Sequence, residues 1–290
     1  MAQYINKGIL LAGGAGTRLY PASAAVSKQL LAVYDKPLIY YSLSVLMRLG
    51  IRDILLITHV NDEDRFRALL GDGSHLGIKL NILSETRPRG IANAFLIGED
   101  FIGRDNVTLL LGDNIYCDTG PLKSAAESYR SGAVVFGVHV TDPSEYGVAD
   151  VDCYGNVTAI EEKPVQPKSD IAVTGLYFYD DTVVQIARGI QPSERGELEI
   201  TTVNNVYLER KQLRMVTLDA NLIWFDAGSA QSMLNAGNYI SSLESTAERK
   251  IGCIEEAAYL EGFITAGQLT ELAEKMPDTD YRDYLLKLVR

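Results

Sequence analysis

No apolar run in this chain is longer than a β-strand, which leaves out a membrane-spanning helix of about 20 apolar residues. The first residues, Met1-Ala2-Gln3-Tyr4-Ile5-Asn6-Lys7, lack the basic start and long apolar core of a secretory signal. Cysteine is scarce: Cys117, Cys153 and Cys253 are odd in number and widely spaced. That argues against a disulfide frame or a zinc site and predicts free thiols in a reducing cytoplasm. His59, His75 and His139 have no motif around them and read as structural or surface residues. A basic excess is also missing. The formal net charge is −11, which argues against a nucleic-acid groove. An anionic ligand would have to be held by local positive charge, so each well-placed Lys or Arg gains weight. Repeats, low-complexity tracts and linkers are absent as well. What remains is an ordinary globular composition, 47% hydrophobic and 22% charged over 290 residues. It can bury a sizeable core as one large domain, or as a domain with an appendage.

Against these absences stands one stretch near the start, Gly8-Ile9-Leu10-Leu11-Ala12-Gly13-Gly14-Ala15-Gly16-Thr17-Arg18-Leu19. The apolar run reads as a buried parallel strand. Glycines directly after it let backbone N–H groups approach a ligand, and such amides cradle anions, phosphate above all. The Walker pattern requires Gly-Lys-Ser/Thr, whereas Thr17-Arg18 follows here; the dinucleotide fingerprint requires a third glycine where Leu19 stands. A glycine turn after a strand is often only a turn. Arg18 favours more, because a cation beyond a phosphate cradle can neutralise charge on a transferring phosphoryl group. Ser27-Lys28-Gln29-Leu30-Leu31 offers a second cation, Lys28, which taken singly could equally be a solvated surface lysine.

Strand-like runs at Lys7–Leu11, Asp53–Thr58, Ile78–Leu83, Val107–Leu111 and Ala133–Val140 alternate with amphipathic stretches around Leu38–Leu49, Asp62–Leu70, Gly90–Gly98 and Leu122–Ser131. The alternation predicts an α/β fold, with a mostly parallel Rossmann-like sheet covered by helices on both faces. Ligands then sit beyond the carboxyl ends of the strands, where the glycine loop and Gly112-Asp113 converge. After about Tyr146 the pattern changes to strand-like pieces (Gly147–Val151, Val157–Ile160, Ile171–Tyr179, Arg214–Leu218) separated by turns. This predicts a second half with added antiparallel strands on the same sheet. From Ala230 onward the sequence reads helical. The expected organisation is one domain over 1–240, with halves at about 1–140 and 141–228, and a C-terminal helical extension over 241–290.

Gly-Gly-x-Gly-Thr-Arg-Leu, Ser27-Lys28-Gln29-Leu30-Leu31 and Asp35-Lys36-Pro37-Leu38-Ile39-Tyr40-Tyr41 together resemble the sugar-1-phosphate nucleotidylyltransferases, and among them the thymidylyltransferases. The resemblance continues in order through Leu69–Ser74, Leu111-Gly112-Asp113-Asn114, Tyr146-Gly147-Val148, Glu161-Glu162-Lys163-Pro164, Pro167-Lys168-Ser169, Val173–Tyr179, Arg195–Thr201 and Trp224–Gly228. It covers nearly the whole chain. It implies nucleotidyl transfer from a nucleoside triphosphate, dTTP in this branch, to glucose 1-phosphate, giving dTDP-glucose and pyrophosphate for deoxysugar and polysaccharide synthesis. It also implies Mg²⁺ as cofactor and a cytoplasmic homotetramer contacted through the helical tail, which could equally pack on its own subunit alone. Both substrates are polyanions. The task is neutralisation and in-line positioning without a covalent intermediate, which suits a site rich in Arg, Lys and Asp.

By family position, Asp113 and Asp226 hold the metal, Arg18 stabilises charge at the α-phosphate and Lys28 contacts phosphate. Each aspartate alone could be a turn residue. Gly13, Gly14, Ala15, Gly16, Thr17, Gln29, Glu85 and Gly90 are implied on the nucleotide. Glu162 is implied at the sugar hydroxyls and Lys163 at the sugar phosphate, with Tyr146, Gly147, Val173, Tyr177, Glu197 and Trp224 completing the sugar pocket. Tyr177 and Trp224 could instead be core residues, and Glu-Glu-Lys-Pro an exposed edge. Two departures stand out. Glu85, in Glu85-Thr86-Arg87-Pro88-Arg89-Gly90-Ile91-Ala92-Asn93-Ala94, replaces the base-reading Gln of the relatives. A carboxylate only accepts, whereas a Gln amide also donates. Glu85 would therefore suit guanine and weaken selectivity for dTTP, unless it points to solvent and backbone near Gly90 reads the base. Asn114–Gly120 also lacks the Tyr-Gly-His found beside a secondary nucleotide-sugar site of end-product inhibition, so the resemblance does not carry that regulation over. The alternatives are the same chemistry on GTP, UTP or another hexose, a non-catalytic sugar-nucleotide-binding regulator, and a nicotinamide dehydrogenase. Arg18, Lys28, Asp113 and Asp226 are all present, which disfavours the regulator. The missing third glycine disfavours the dehydrogenase.

Overall fold

A computed structural model describes residues 5–14, 16–219, 222–247 and 249–290. The strands are β1 (Lys7–Ala12), β2 (Ala32–Val33), β3 (Lys36–Pro37), β4 (Asp53–His59), β5 (Lys79–Glu85), β6 (Val107–Leu111), β7 (Asn114–Tyr116), β8 (Ala133–His139), β9 (Gly147–Val151), β10 (Val157–Glu162), β11 (Ile171–Tyr179), β12 (Leu213–Thr217) and β13 (Trp224–Asp226). Helices α1 (Leu38–Arg48), α2 (Glu63–Leu70), α3 (Asn93–Ile97), α4 (Glu99–Ile102) and α5 (Gly120–Ser128) fall in the first half. Later come α6 (Val183–Gly189), α7 (Ile200–Glu209), α8 (Ala230–Ala247), α9 (Ile254–Leu260), α10 (Ala266–Glu274) and α11 (Asp280–Lys287). No helix among the described residues is long and apolar enough to cross a membrane.

The main sheet runs β10-β9-β11-β6-β1-β4-β5, with β8 on β11 and β12 on β8. β6, β1, β4 and β5 are all parallel. Their residues alternate between two cores. Leu10, Ile54, Leu56 and Leu110 join α1, α2, α5 and α9–α11 on one face, while Ile9, Leu55, Ile57 and Leu109 join α3, α6 and α7 on the other. Burial on both faces is why these strands read as continuous apolar runs. β11 is antiparallel to β6, β8 and β9, and the later strands extend the same sheet. Here the structure corrects one expectation. β8 does not continue the parallel run; it lies beyond β11 and antiparallel to it. It also adds α6 and α7 to a stretch that reads as strands and turns.

Register fixes the functional edge. Ala12 sits opposite Thr58, Leu11 opposite Leu111 and His59 opposite Glu85, so the glycine loop, Glu85 and Gly112-Asp113 share the carboxyl edge. β11 crosses that edge in the opposite direction, with Leu176 opposite Leu110 and Val173 opposite Gly147. β13 pairs β7 with Asp226 opposite Asn114, and this brings Asp226 beside Asp113.

The C-terminal helices are clamped to the segment that follows Lys28. Lys36 is buried, at 2% side-chain exposure, in ion pairs with Asp35 and with Glu244 Oε1 (3.1 Å) on α8. Lys250 bridges the same two carboxylates at 2.7 and 3.0 Å. Burial would raise the Asp35 carboxyl, but hydrogen bonds and charge from Lys250 and Lys36 outweigh it and hold it below its usual range. Removing one member of a buried charge cluster leaves its partners uncompensated. Lys36→Met is therefore expected to destabilise the fold by about 3 kcal/mol, the low end for a broken buried pair because Lys250 remains. The readout is the urea midpoint at pH 7, and an unchanged midpoint would show that the clamp contributes nothing.

Candidate active site

The site is a cleft of about 220 Å³ at the junction of the parallel and antiparallel halves. The structure brings Arg18, Asp113, Tyr146, Gly147, Glu162, Lys163, Val173, Tyr177, Glu197, Trp224 and Asp226 to its walls. A larger, more open groove of about 910 Å³ between β10, α7 and β12 holds none of them.

At the floor, Lys28 is ion-paired with Asp113. Burial acts to raise the Asp113 carboxyl, but Lys28 outweighs it and keeps it below its usual range. Asp226 has no such partner. Its nearest cation is Arg18, whose Nη2 is 3.9 Å from Asp226 Oδ2, while Nη1 is 3.3 Å from Glu145 Oε2. Burial first, and the neighbouring Asp113 charge second, push Asp226 up to about 6. Arg18 itself is half exposed and lies over Gly228, where a Cβ would come within 2.5 Å of Nη2. A side chain at position 228 would displace the guanidinium from this place beside Asp226.

One buried amide ties this floor together. Asn114 is 2% exposed. Its Nδ2 donates to Asp113 Oδ1 at 3.0 Å, and its Oδ1 accepts from Gly175 N at 2.9 Å and Trp224 Nε1 at 2.8 Å. Trp224 packs edge-on against Tyr146. On the opposite wall, Thr201 Oγ1 donates to Glu162 Oε2 at 2.5 Å, and Arg195 lies 3.3 Å from Glu162 and 3.0 Å from Glu199. Lys163 follows in a left-handed conformation, φ 45°, and its N–H donates to Tyr146 O. Val173 and Tyr177 are buried side chains lining this wall, so core and pocket are the same residues here. Glu197 is exposed at the rim.

The nucleotide-side residues are spread along the adjoining edge. Gly14 faces the Lys28 stem, Gly16 O accepts from Ser23 Oγ, and Thr17 opens a helical turn to Leu19. Ala15 lies outside the described residues. Gln29 is buried, and its Oε1 accepts from Ser27 Oγ at 2.6 Å, so its side chain supports the Lys28 turn from behind. Glu85 is half-buried with Oε1 3.0 Å from where a Cβ on Gly13 would stand, and Oε2 accepts from Asn93 Nδ2 at 3.2 Å. Burial raises the carboxyl, against the opposing influence of Asn93 and Arg89. Gly90 (φ 99°) packs on the Leu198 backbone. Sequence reasoning missed Asn114, Thr201, Arg195, Glu199 and Gly228 as site residues. All five lie in motifs that carry the resemblance, Leu111–Asn114, Arg195–Thr201 and Trp224–Gly228, which were the available signal.

Among the described residues no group of three or more His, Cys, Asp or Glu could hold a metal unaided. Two part-buried aspartates remain, Asp226 raised by burial and then by the charge of Asp113, a pair that fits a hard divalent cation whose other ligands are phosphate oxygens and water.

A family model described as nucleotidyl transferase matches residues 7–242. A glucose-1-phosphate thymidylyltransferase of Neisseria gonorrhoeae is 49% identical, covering 98% of this chain and 99% of that one. One of Mycolicibacterium smegmatis is 48% identical over 98% and 99%. A crystal structure from Bacillus anthracis assigned to the same enzymes, in complex with sucrose, aligns with TM-score 0.75 and 39% identity over 80% of this chain and 94% of that one. A UDP-glucose pyrophosphorylase complexed with UDP-glucose aligns with TM-score 0.71 and 22% identity over 82% and 99%, a likeness of fold. The cleft, its paired aspartates and these similarities lead to one conclusion: the chain belongs to the nucleotidyl transferase family, among the glucose-1-phosphate thymidylyltransferases.

Proposed function

We infer that this protein transfers a thymidylyl group from dTTP to glucose 1-phosphate, releasing pyrophosphate and giving dTDP-glucose. The observation that carries this reading is the single cleft in which Arg18, Asp113 and Asp226 meet Glu162, Lys163 and Trp224. A sugar-phosphate oxygen attacks the α-phosphorus as the bond to pyrophosphate breaks. Repulsion between two polyanions opposes this in a chain of net charge −11, so the residues act by neutralising and orienting. Backbone N–H groups of the Gly13–Thr17 loop cradle the triphosphate. Lys28 contacts phosphate, and Arg18 stabilises charge that builds at the α-phosphorus. Lys163 holds the sugar phosphate. Glu162, oriented by Thr201 and Arg195, accepts from sugar hydroxyls, with Val173, Tyr177 and the Tyr146–Trp224 pair shaping the pocket. Glu85 lies beside the glycine loop at the carboxyl edge of β5, where the base of a nucleotide seated on that loop would reach. Mg²⁺ fits the Asp113–Asp226 pair and, when bound, supplies positive charge toward the triphosphate. The family resemblance further supports a homotetramer in the cytoplasm.

A pyrophosphate-release assay that crosses dTTP, UTP and GTP with several hexose 1-phosphates tests the reading. dTTP with glucose 1-phosphate is the expected best pair; release only with another pair overturns it. Arg18→Ala is expected to stay folded and lose about a hundred- to thousandfold in kcat, as for loss of one transition-state donor. Near-normal turnover in the folded variant would remove Arg18 from the chemistry. Asp113→Asn and Asp226→Asn are each expected to raise the Mg²⁺ requirement or abolish turnover, because an amide keeps shape but not the charge a hard cation needs. In EDTA, Asp226→Asn is expected to melt no lower than wild type, since it removes a desolvated charge beside Asp113. Turnover that resists EDTA would sink the metal assignment.

A further inference from the structure

Glu85 alone cannot read a thymine edge. That edge presents one N–H donor flanked by carbonyl acceptors, and a carboxylate offers only acceptors. The structure puts a donor beside it. Asn93, at the start of α3 and 8% exposed, gives one N–H of Nδ2 to Glu85 Oε2 at 3.2 Å. The second N–H of that amide has no protein partner among the described residues. A primary amide buried to this degree normally uses both donors. On the far side of the carboxylate, Glu85 Oε1 faces Gly13 in the phosphate loop, so the pair stands at the nucleotide end of the edge. Neighbouring Arg89, exposed and in no ion pair among the described residues, acts to keep the Glu85 carboxyl charged and so an acceptor.

We propose that Asn93 is a specificity-determining residue: Glu85 and Asn93 together present the acceptor–donor pattern that a single glutamine amide would present. Glu85 accepts from the pyrimidine N3–H, and Asn93 donates its free N–H to a flanking carbonyl. The pair rejects guanine, whose two adjacent N–H donors would set one of them against the Asn93 donor. This rests on the reading that Glu85 faces the base. It changes what Glu85 implies: the carboxylate no longer predicts relaxed selectivity for dTTP, because the missing donor comes from α3.

The test is a double-mutant cycle on the intact enzyme, read as kcat/KM for dTTP, UTP and GTP with glucose 1-phosphate. The proteins are wild type, Asn93→Leu, Glu85→Gln and the double variant, with melting temperatures to establish folding. Asn93→Leu is expected to lower kcat/KM for dTTP and UTP roughly tenfold or more, the usual scale for an unpaired buried polar group, and to raise the GTP:dTTP ratio. In the Glu85→Gln background the same substitution is expected to change that ratio less than about twofold, because the glutamine brings its own donor. Asn93→Gln, which keeps an amide donor, is expected to retain the thymine preference. Equal losses from Asn93→Leu in both backgrounds would mean that Asn93 only packs α3, and would overturn the proposal. A Glu85→Leu control separates the underlying reading. If its base ratios match wild type, position 85 does not face the base and both fall. If they shift while those of Asn93→Leu do not, only the Asn93 role falls.

Discussion

The site depends on a buried amide. Asn114 receives hydrogen bonds from Gly175 on β11 and Trp224 on β13, and donates to Asp113 at the end of β6. Three segments from distant parts of the chain thus meet at one side chain with its oxygen doubly used. An unmade partner here would be expensive, because no water replaces it at 2% exposure. The amide therefore specifies the arrangement as much as it stabilises it. It holds Asp113, seats the Trp224 indole in the wall of the cleft and ties β11 to the carboxyl edge of β6.

The second constraint is the reversal of strand direction. Four parallel strands can deliver only loops to their carboxyl edge, and loops suit phosphate, which is gripped by backbone N–H groups. A hexose needs side chains on a wall. β11 supplies one by running antiparallel across the same edge, so Val173 and Tyr177 point into the cleft from within a strand. β10 ends in Glu162 on the adjacent side, with Lys163 following it. One continuous sheet thereby lines the cleft with loop residues on one side and strand faces on the other.

How much of this was legible follows from which forces act locally. β1, β4, β5 and β6 are buried on both faces, and their apolar runs showed it. α7 was not legible: Ile200-Thr201-Thr202-Val203 is β-branched and favours strand by propensity. It forms a helix because Ile200, Val203, Asn204 and Tyr207 recur at helical spacing and bury together, a tertiary preference overriding a local one. That miss concealed Thr201, which reaches Glu162 only from the first turn of a helix. β8 was visible as a strand, but its direction was not, since pairing with β11 is set by residues some forty positions away. Strand order alone put Asp113 at the carboxyl edge, whereas its pairing with Asp226 was visible only through the resemblance. Nothing in Gly112-Asp113-Asn114 or Phe225-Asp226-Ala227 distinguishes a ligand from a turn residue until β7 and β13 pair.

Asp226 shows what the site costs the fold. Its carboxyl is raised from 3.8 to about 6 by burial and by Asp113, so the folded chain binds that proton more tightly than the unfolded one. By linkage, this residue's contribution grows less favourable as pH rises from about 4 to 6, and it opposes folding in full above that. Asp113, held low by Lys28, works in the opposite direction and keeps one negative charge in place. The less compensated half of the couple, 3.9 Å from Arg18, is the part that a cation and a triphosphate would complete. A cation held closer to Asp226 would make a more stable protein and weaken the attraction that this carboxylate keeps for a ligand. The compensation is instead placed far away. Lys36, Lys250, Asp35 and Glu244 close on one another beneath the C-terminal helices, where pairing holds the segment that follows Lys28 and lies outside the cleft lining.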